Sequence, residues 1–178
     1  KVNLDLIHGD RDIGISHLCF DSREVEKGSL FIAINGTLSD GHDFIEMAIN
    51  RGASAIVCEK LPLNINEAVV YVLVKESSKA LGHISANFYD NPSEKIKLVG
   101  VTGTNGKTTV ATLLHSLYQS LGHKSGLLST VVYKIGSATY EATHTTPDAI
   151  RLNGMLREMV DSGCKSVSYT HLRAHETG

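Results

Sequence analysis

The chain carries in a row Val99-Gly100-Val101-Thr102-Gly103-Thr104-Asn105-Gly106-Lys107-Thr108-Thr109. An apolar run, residues 96–101, leads into a glycine-rich turn, and a helical pattern leaves it. Glycines let a backbone approach phosphate oxygens closely, and successive N–H groups of such a turn point at one negative charge. The helix that follows adds the positive end of its dipole. On this reading Gly103, Thr104, Asn105, Gly106, Lys107, Thr108 and Thr109 hold nucleotide phosphates. Lys107 reaches the terminal phosphates, and the Thr108 hydroxyl sits on Mg²⁺. One position departs from the general phosphate-loop pattern, which has a glycine where this chain has Val101. The bland alternative is a strand-to-helix turn that binds nothing.

Working outward from the loop, Val110, Leu113, Leu114, Leu117 and Leu121 fall on one helical stripe that Gly122 closes. Residues 124–129 read as a strand, and residues 133–142 as a hairpin or loop turning at Gly136-Ser137. In His144-Thr145-Thr146-Pro147-Asp148, Thr146 suits an N-cap and Pro147 a first helical position. The helix then runs to Val160, burying Leu152, Met155, Leu156 and Met159. On the other side of the loop, residues 30–34, 55–58 and 69–74 read as strands. Residues 43–51 read as a helix carrying Phe44, Ile45, Ala48 and Ile49. Residues 77–89 read as a second helix with Leu81, Ile84 and Phe88 on one face, stopped at Asn91-Pro92. The polar residues 90–95 read as a linker.

Strands alternating with helices predict an α/β protein. A small α/β domain spans residues 1–92, and the first part of a parallel-sheet phosphate-loop domain spans 93–165. The string over residues 166–178 resembles a translated sequencing adapter and is left out of the expected fold. His171 and His175 within it have the spacing of a helical metal pair, which is accidental on such a string.

Composition narrows the function classes. The 178 residues suit one domain or two small ones, and 42% hydrophobic content suffices for a packed core. The net charge of −2 comes from 17 basic and 19 acidic residues with no basic stripe, which argues against nucleic acid as a partner. Apolar runs are strand-length, so no membrane span is expected. Lys1 in place of methionine suggests a missing start. Cys19, Cys58 and Cys164 are scattered and read as reduced thiols of a cytoplasmic protein.

Three groups of residues together resemble the Mur ligase family of peptidoglycan synthesis. Asp21-Ser22-Arg23, Gly28-Ser29-Leu30-Phe31, Gly36 and Asp40-Gly41-His42-Asp43-Phe44 resemble its N-terminal, UDP-binding domain. Residues 102–109 resemble its ATP site. His144-Thr145-Thr146-Pro147 resembles the Thr-Thr-Pro signature of the branch that adds the third amino acid. The resemblance implies residues 103–109 on ATP, with Lys107 and Thr108 closest to the chemistry and Thr108 on Mg²⁺. It also implies Phe20, Ser22, Thr37, Leu38 and Ser39 on the uridine diphosphate end. Thr145 and Thr146, beside His144, fall to the MurNAc-dipeptide part.

The implied reaction makes an acyl phosphate of the D-glutamate carboxylate in UDP-MurNAc-L-Ala-D-Glu. The amine of meso-diaminopimelate or L-lysine then displaces phosphate. In relatives the central domain continues with a Glu-Val-Ser-Ser-His strand and a carbamylated lysine, and a further domain selects the amino acid. None of these is among the 178 residues. A truncated, inactive piece is therefore expected, with two or so strands in its second part and apolar surface left uncovered, and the resemblance implies a monomer. Asp21-Ser22-Arg23 alone also reads as a turn with a surface ion pair, and Thr146-Pro147-Asp148 alone as a helix cap. His42 and His123 read as surface or loop histidines. The competing assignments are the ligase that adds D-Ala-D-Ala, a folylpolyglutamate synthase, and a non-catalytic nucleotide-binding module.

Overall fold

The computed structural model describes residues 4–10, 12–36, 39–141 and 147–170, and the chain divides into two units, Lys1–Ser85 and Ala86–Gly178. In the first unit the apolar runs become β1 (Leu4–His8), β2 (His17–Cys19), β3 (Ser29–Ile32), β4 (Ala53–Cys58) and β5 (Val70–Val74). They form one sheet in the order β1-β5-β4-β3-β2, parallel except for β1, which runs antiparallel to β5. The central strands β3 and β4 are buried almost throughout, as befits parallel strands covered on both faces. Phe31, Ile56 and Tyr71 fill the core against Ile45 and Ala48 of α1 (Ile45–Asn50).

Helix α2 (Ser77–Phe88) corrects the sequence reading of its face. Its buried residues are Ser77, Ala80, Leu81 and Ser85, while Phe88 is exposed. Small residues at a helical spacing let the helix lie close to its neighbours, and the count of large apolar residues pointed to the adjacent stripe.

In the second unit, α3 (Pro92–Lys95) occupies the stretch expected as a polar linker. Asp90 and Asn91 take left-handed backbone angles, φ +62° and +47°, and Pro92 then opens the helix at a position where its missing N–H is harmless. Asp90 ties this turn down by pairing with Lys95 and, at 2.9 Å, with Arg157.

The remaining elements are β6 (Lys97–Gly100), α4 (Lys107–Ser120), β7 (Ser125–Leu128), β8 (Val132–Ile135), β9 (Ala138–Glu141), α5 (Ala149–Asp161) and β10 (Ser166–Tyr169). Their sheet has the order β6-β10-β7-β8-β9. Strand β10 runs parallel to both β6 and β7, and β8 and β9 form the hairpin that turns at Gly136, φ +60°. Five strands replace the two or so expected.

The place of β10 corrects the expectation that the fold stops at residue 165. Ladder pairing is made by backbone groups and needs little from the side chains. Val167 is fully buried in the core with Leu156 and Met159 of α5, Tyr169 packs against the same cluster, and the serines at 166 and 168 are buried. Residues 171–178, including His171 and His175, lie outside the described residues. The Ser166 hydroxyl is buried with no partner. Such a group costs roughly 1–3 kcal/mol. Ser166→Ala is therefore expected to raise the melting temperature of this unit by several degrees, since ~1 kcal/mol corresponds to about 4–8 °C at this size. Calorimetry on the two chains checks it, and an unchanged or lowered midpoint would count against it.

Helix α5 is capped by Asp148, whose carboxylate accepts from the Arg151 amide at 2.9 Å. This corrects the choice of Thr146 as cap. An aspartate caps as well as a threonine, and here Pro147 precedes the cap instead of opening the helix. Leu156 and Met159 are buried beneath it, as the spacing predicted, with Leu152 and Met155 packed alongside. Helix α4 meets the sheet through Ala111 and His115, so Val110, Leu113, Leu117 and Leu121 face outward. With Leu98 exposed on the edge strand β6, this is the uncovered apolar surface that the sequence predicted.

His115 is buried against the Ser125 hydroxyl at 2.9 Å. Burial, and then the charge of Lys134, hold its imidazole below the ordinary histidine value of 6.5. The unfolded chain therefore takes up the proton first as pH falls. The second unit is expected to have its full stability above about pH 6.5 and to lose part of it as pH drops below that value. Denaturant titrations at several pH values check this, and His115→Gln should flatten the dependence.

Candidate functional site

The glycine-rich loop leaves β6 and opens α4 directly. Val101, the residue that departs from the general pattern, donates its amide to Tyr169 O at 2.8 Å. It therefore extends the ladder with β10, and the free turn begins after it. Gly103 has φ +144° and Gly106 has φ +78°. These left-handed angles explain both glycines, since side-chain-bearing residues rarely adopt them. Gly106 is the N-cap of α4 and offers no side chain to the first turn, which also lacks any acidic residue. Among the described residues, no amide from Gly103 to Thr109 donates to a protein acceptor.

A helix start normally has its orphan amides capped. This one keeps them, and its dipole, uncompensated. The ammonium group of Lys107 folds over the loop, donating to Gly103 O at 2.6 Å and Thr104 O at 3.5 Å. Thr108 is half-buried in the first turn and its hydroxyl has no partner among the described residues.

The first unit carries a second loop, residues 34–41, between β3 and the 3-10 turn Gly41–Phe44 that precedes α1. Gly41 N donates to Ile34 O at 2.8 Å, and Gly36 N donates to Ser39 O at 3.0 Å. Asn35 and Asp40 form an antiparallel bridge, so the loop is closed at its base. Ser39, next to Asp40, is exposed. Asp40 caps the 3-10 turn through the His42 amide at 2.9 Å. Hydrogen bonds from His42 N and Nδ1, and then from Lys60, hold its carboxyl well below the usual carboxylate range.

Asp21-Ser22-Arg23 forms a capped 3-10 turn. Asp21 accepts from the Arg23 amide at 2.9 Å and pairs with its guanidinium at 2.6 Å. The turn-plus-ion-pair reading thus describes Asp21 and Arg23. Ser22 differs: it is buried, and its hydroxyl lies 3.5 Å from the Met47 sulfur. Phe20 and Met47 are both partly exposed beside it. In the sequence Met47 reads as one more apolar residue of a helix.

Of the candidate residues, Thr37, Leu38, His144, Thr145 and Thr146 lie outside the described residues. Of the surface or loop place expected for His42, the structure keeps the second: it lies in the turn Gly41–Phe44, with its ring only 4% exposed. Burial pushes the Cys19 and Cys58 thiols up to about 11, which makes them poor nucleophiles. Among the described residues no cluster of histidine, cysteine or carboxylate side chains could hold a metal ion, and no helix is long and apolar enough to cross a membrane.

Comparison with known proteins gives two consecutive family matches. Residues 14–89 match the Mur ligase family, catalytic domain, and residues 101–169 match the Mur ligase middle domain. A UDP-N-acetylmuramoyl-L-alanyl-D-glutamate–2,6-diaminopimelate ligase from Cytophaga hutchinsonii is 55% identical over 165 residues, covering 92% of this chain and 34% of that protein. The ligase of the same name from Bacteroides fragilis is 50% identical over 161 residues, covering 90% and 33%. A solved structure of a ligase of that name superimposes with TM-score 0.72 at 25% identity, covering 88% of this chain and 31% of the other. MurF ligase from Thermotoga maritima, solved in complex with ADP, follows at TM-score 0.54 and 27% identity, covering 90% and 33%. The chain thus spans about a third of the length of the relatives it matches. With two adjoining family matches and a shared fold, the chain belongs to the Mur ligase family.

Proposed function

We propose that the chain comprises the nucleotide-sugar-binding unit and the beginning of the ATP-binding unit of a ligase that joins 2,6-diaminopimelate to UDP-MurNAc-L-Ala-D-Glu. The observation that carries this is the uncapped start of α4, with its unpartnered amides from Gly103 to Thr109 beneath Lys107. The names of the relatives at 50–55% identity favour diaminopimelate over L-lysine. The TM-score to the diaminopimelate ligase, 0.72, exceeds the 0.54–0.59 of the structures of the branch adding D-Ala-D-Ala, which favours the former branch.

The residues present fit a magnesium nucleotide. Free amides and a helix dipole match phosphate oxygens, Lys107 matches the terminal phosphates, and the unpartnered Thr108 hydroxyl matches an ion that takes oxygen ligands. Bound there, ATP supplies the phosphoryl group that turns a D-glutamate carboxylate into an acyl donor. The chain's own part is electrostatic: Lys107 and the loop amides offset the repulsion between a carboxylate and a polyphosphate. In the first unit, the exposed Ser39 and Phe20 and the buried Ser22 are the described residues assigned to the uridine diphosphate end.

Calorimetric titration of the chain with Mg-ADP and, separately, with UDP tests this. One site for each is expected, with no phosphate release from the complete substrate mixture by these residues alone. Absence of ADP binding would remove the assignment of the loop, and absence of UDP binding that of the first unit.

A further inference from the structure

The ring of His42 is held at both nitrogens. Nδ1 lies 2.5 Å from Asp40 Oδ1, and Nε2 lies 2.9 Å from the backbone amide nitrogen of Glu59. A backbone N–H can only donate, so Nε2 is an acceptor and the ring proton sits on Nδ1, facing the carboxylate. Asp40 also receives the His42 amide at 2.9 Å and the Lys60 ammonium at 3.1 Å. Glu59 stands at the end of the sheet, and its carboxylate is occupied at the start of α2. It accepts from Ser77 N at 2.8 Å and from Ser77 Oγ at 2.9 Å. A continuous line of hydrogen bonds therefore runs from the start of α2, through Glu59 and the imidazole, to Asp40 at the base of loop 34–41.

We propose that His42 is a positioning residue for this loop, a neutral imidazole strut that fixes Asp40, and with it the base of the loop, to the rigid end of the sheet. It rests on the reading that Ser39, beside Asp40, receives the uridine diphosphate end of the substrate. His42 makes no contact with ligand in this role. Its two bonds keep Asp40 and the closed base of the loop, where Gly41 N meets Ile34 O, in place before binding, so that ordering this base does not draw on binding energy. A cationic ring would set an N–H against the N–H of Glu59, so only the neutral Nδ1–H form fits.

Two measurements on the full chain test the strut. Long-range ¹H–¹⁵N spectra at neutral pH are expected to show His42 neutral and protonated at Nδ1. A ring protonated at Nε2, or at both nitrogens, would overturn the proposal regardless of any ligand. UDP titrations then compare the parent chain with His42→Phe, which keeps the ring shape and loses both bonds, and with His42→Asn. The asparagine keeps a donor near Asp40 and loses the anchor on Glu59. His42→Phe is expected to weaken UDP at least tenfold and His42→Asn by less, with melting temperatures showing folded protein. If His42→Phe does not fold, His42→Asn carries the comparison. Parent-like affinity in a folded variant would overturn the strut. Failure of the parent chain to bind UDP would instead remove the site reading and leave the tautomer measurement to decide.

Discussion

Substituting Lys107 by methionine is expected to weaken Mg-ADP binding ten- to about a hundredfold while leaving the second unit folded. Methionine keeps most of the apolar stem and removes the ammonium. The ammonium now bonds Gly103 O at 2.6 Å and Thr104 O at 3.5 Å, and it is the cation nearest the unpartnered amides of the loop. Hydrogen bonds to charged groups contribute about 1.5–3 kcal/mol, which corresponds to that range of affinity. Stability should change little, because both carbonyls remain open to water at an exposed turn. Calorimetric titration with parallel thermal melts checks both halves. Parent-like affinity would place the phosphates elsewhere, and a large loss of stability would make Lys107 a structural brace.

The second large effect concerns Gly41. A Cβ placed there would lie 2.7 Å from both Ile34 N and Ile34 O and 3.2 Å from Ala33 C, all of them backbone atoms. No side chain can swing aside to make room, so the backbone at the base of loop 34–41 must move. Gly41→Ala is expected to break the Gly41 N to Ile34 O bond and to destabilise the first unit by about 1–3 kcal/mol, the range for forced overpacking. UDP binding should fall with it, while ADP binding to the second unit stays as before. Denaturant unfolding and paired titrations measure this. Unchanged UDP affinity in Gly41→Ala would mean that the closed loop base is irrelevant to the site.

Much of this architecture is legible in the residues, for identifiable reasons. Parallel strands such as β3 and β4 announce themselves as unbroken apolar runs, and the hairpin at Gly136-Ser137 by two alternating segments around a glycine. The phosphate loop is legible because its glycines answer to backbone angles that few other residues adopt. What escaped depends on partners distant in sequence. His42 is buried because Glu59, seventeen residues on, presents an amide to its ring. The inward face of α2 keeps Leu81 but is otherwise alanine and serine, which carry little hydrophobic signal. Strand β10 has two serines and one valine at its centre. Its place follows from the ladder that β6 and β7 offer on either side, which no local pattern encodes.

The most direct test of the account is the ¹H–¹⁵N spectrum of the chain titrated with Mg-ADP. The amide resonances of Gly103, Thr104, Asn105, Gly106, Lys107 and Thr108 are expected to shift together along one binding curve, because these N–H groups exchange water for phosphate oxygens. If ADP binds while those six resonances stay where they are, or if they do not move at any nucleotide concentration, the loop is not the phosphate site.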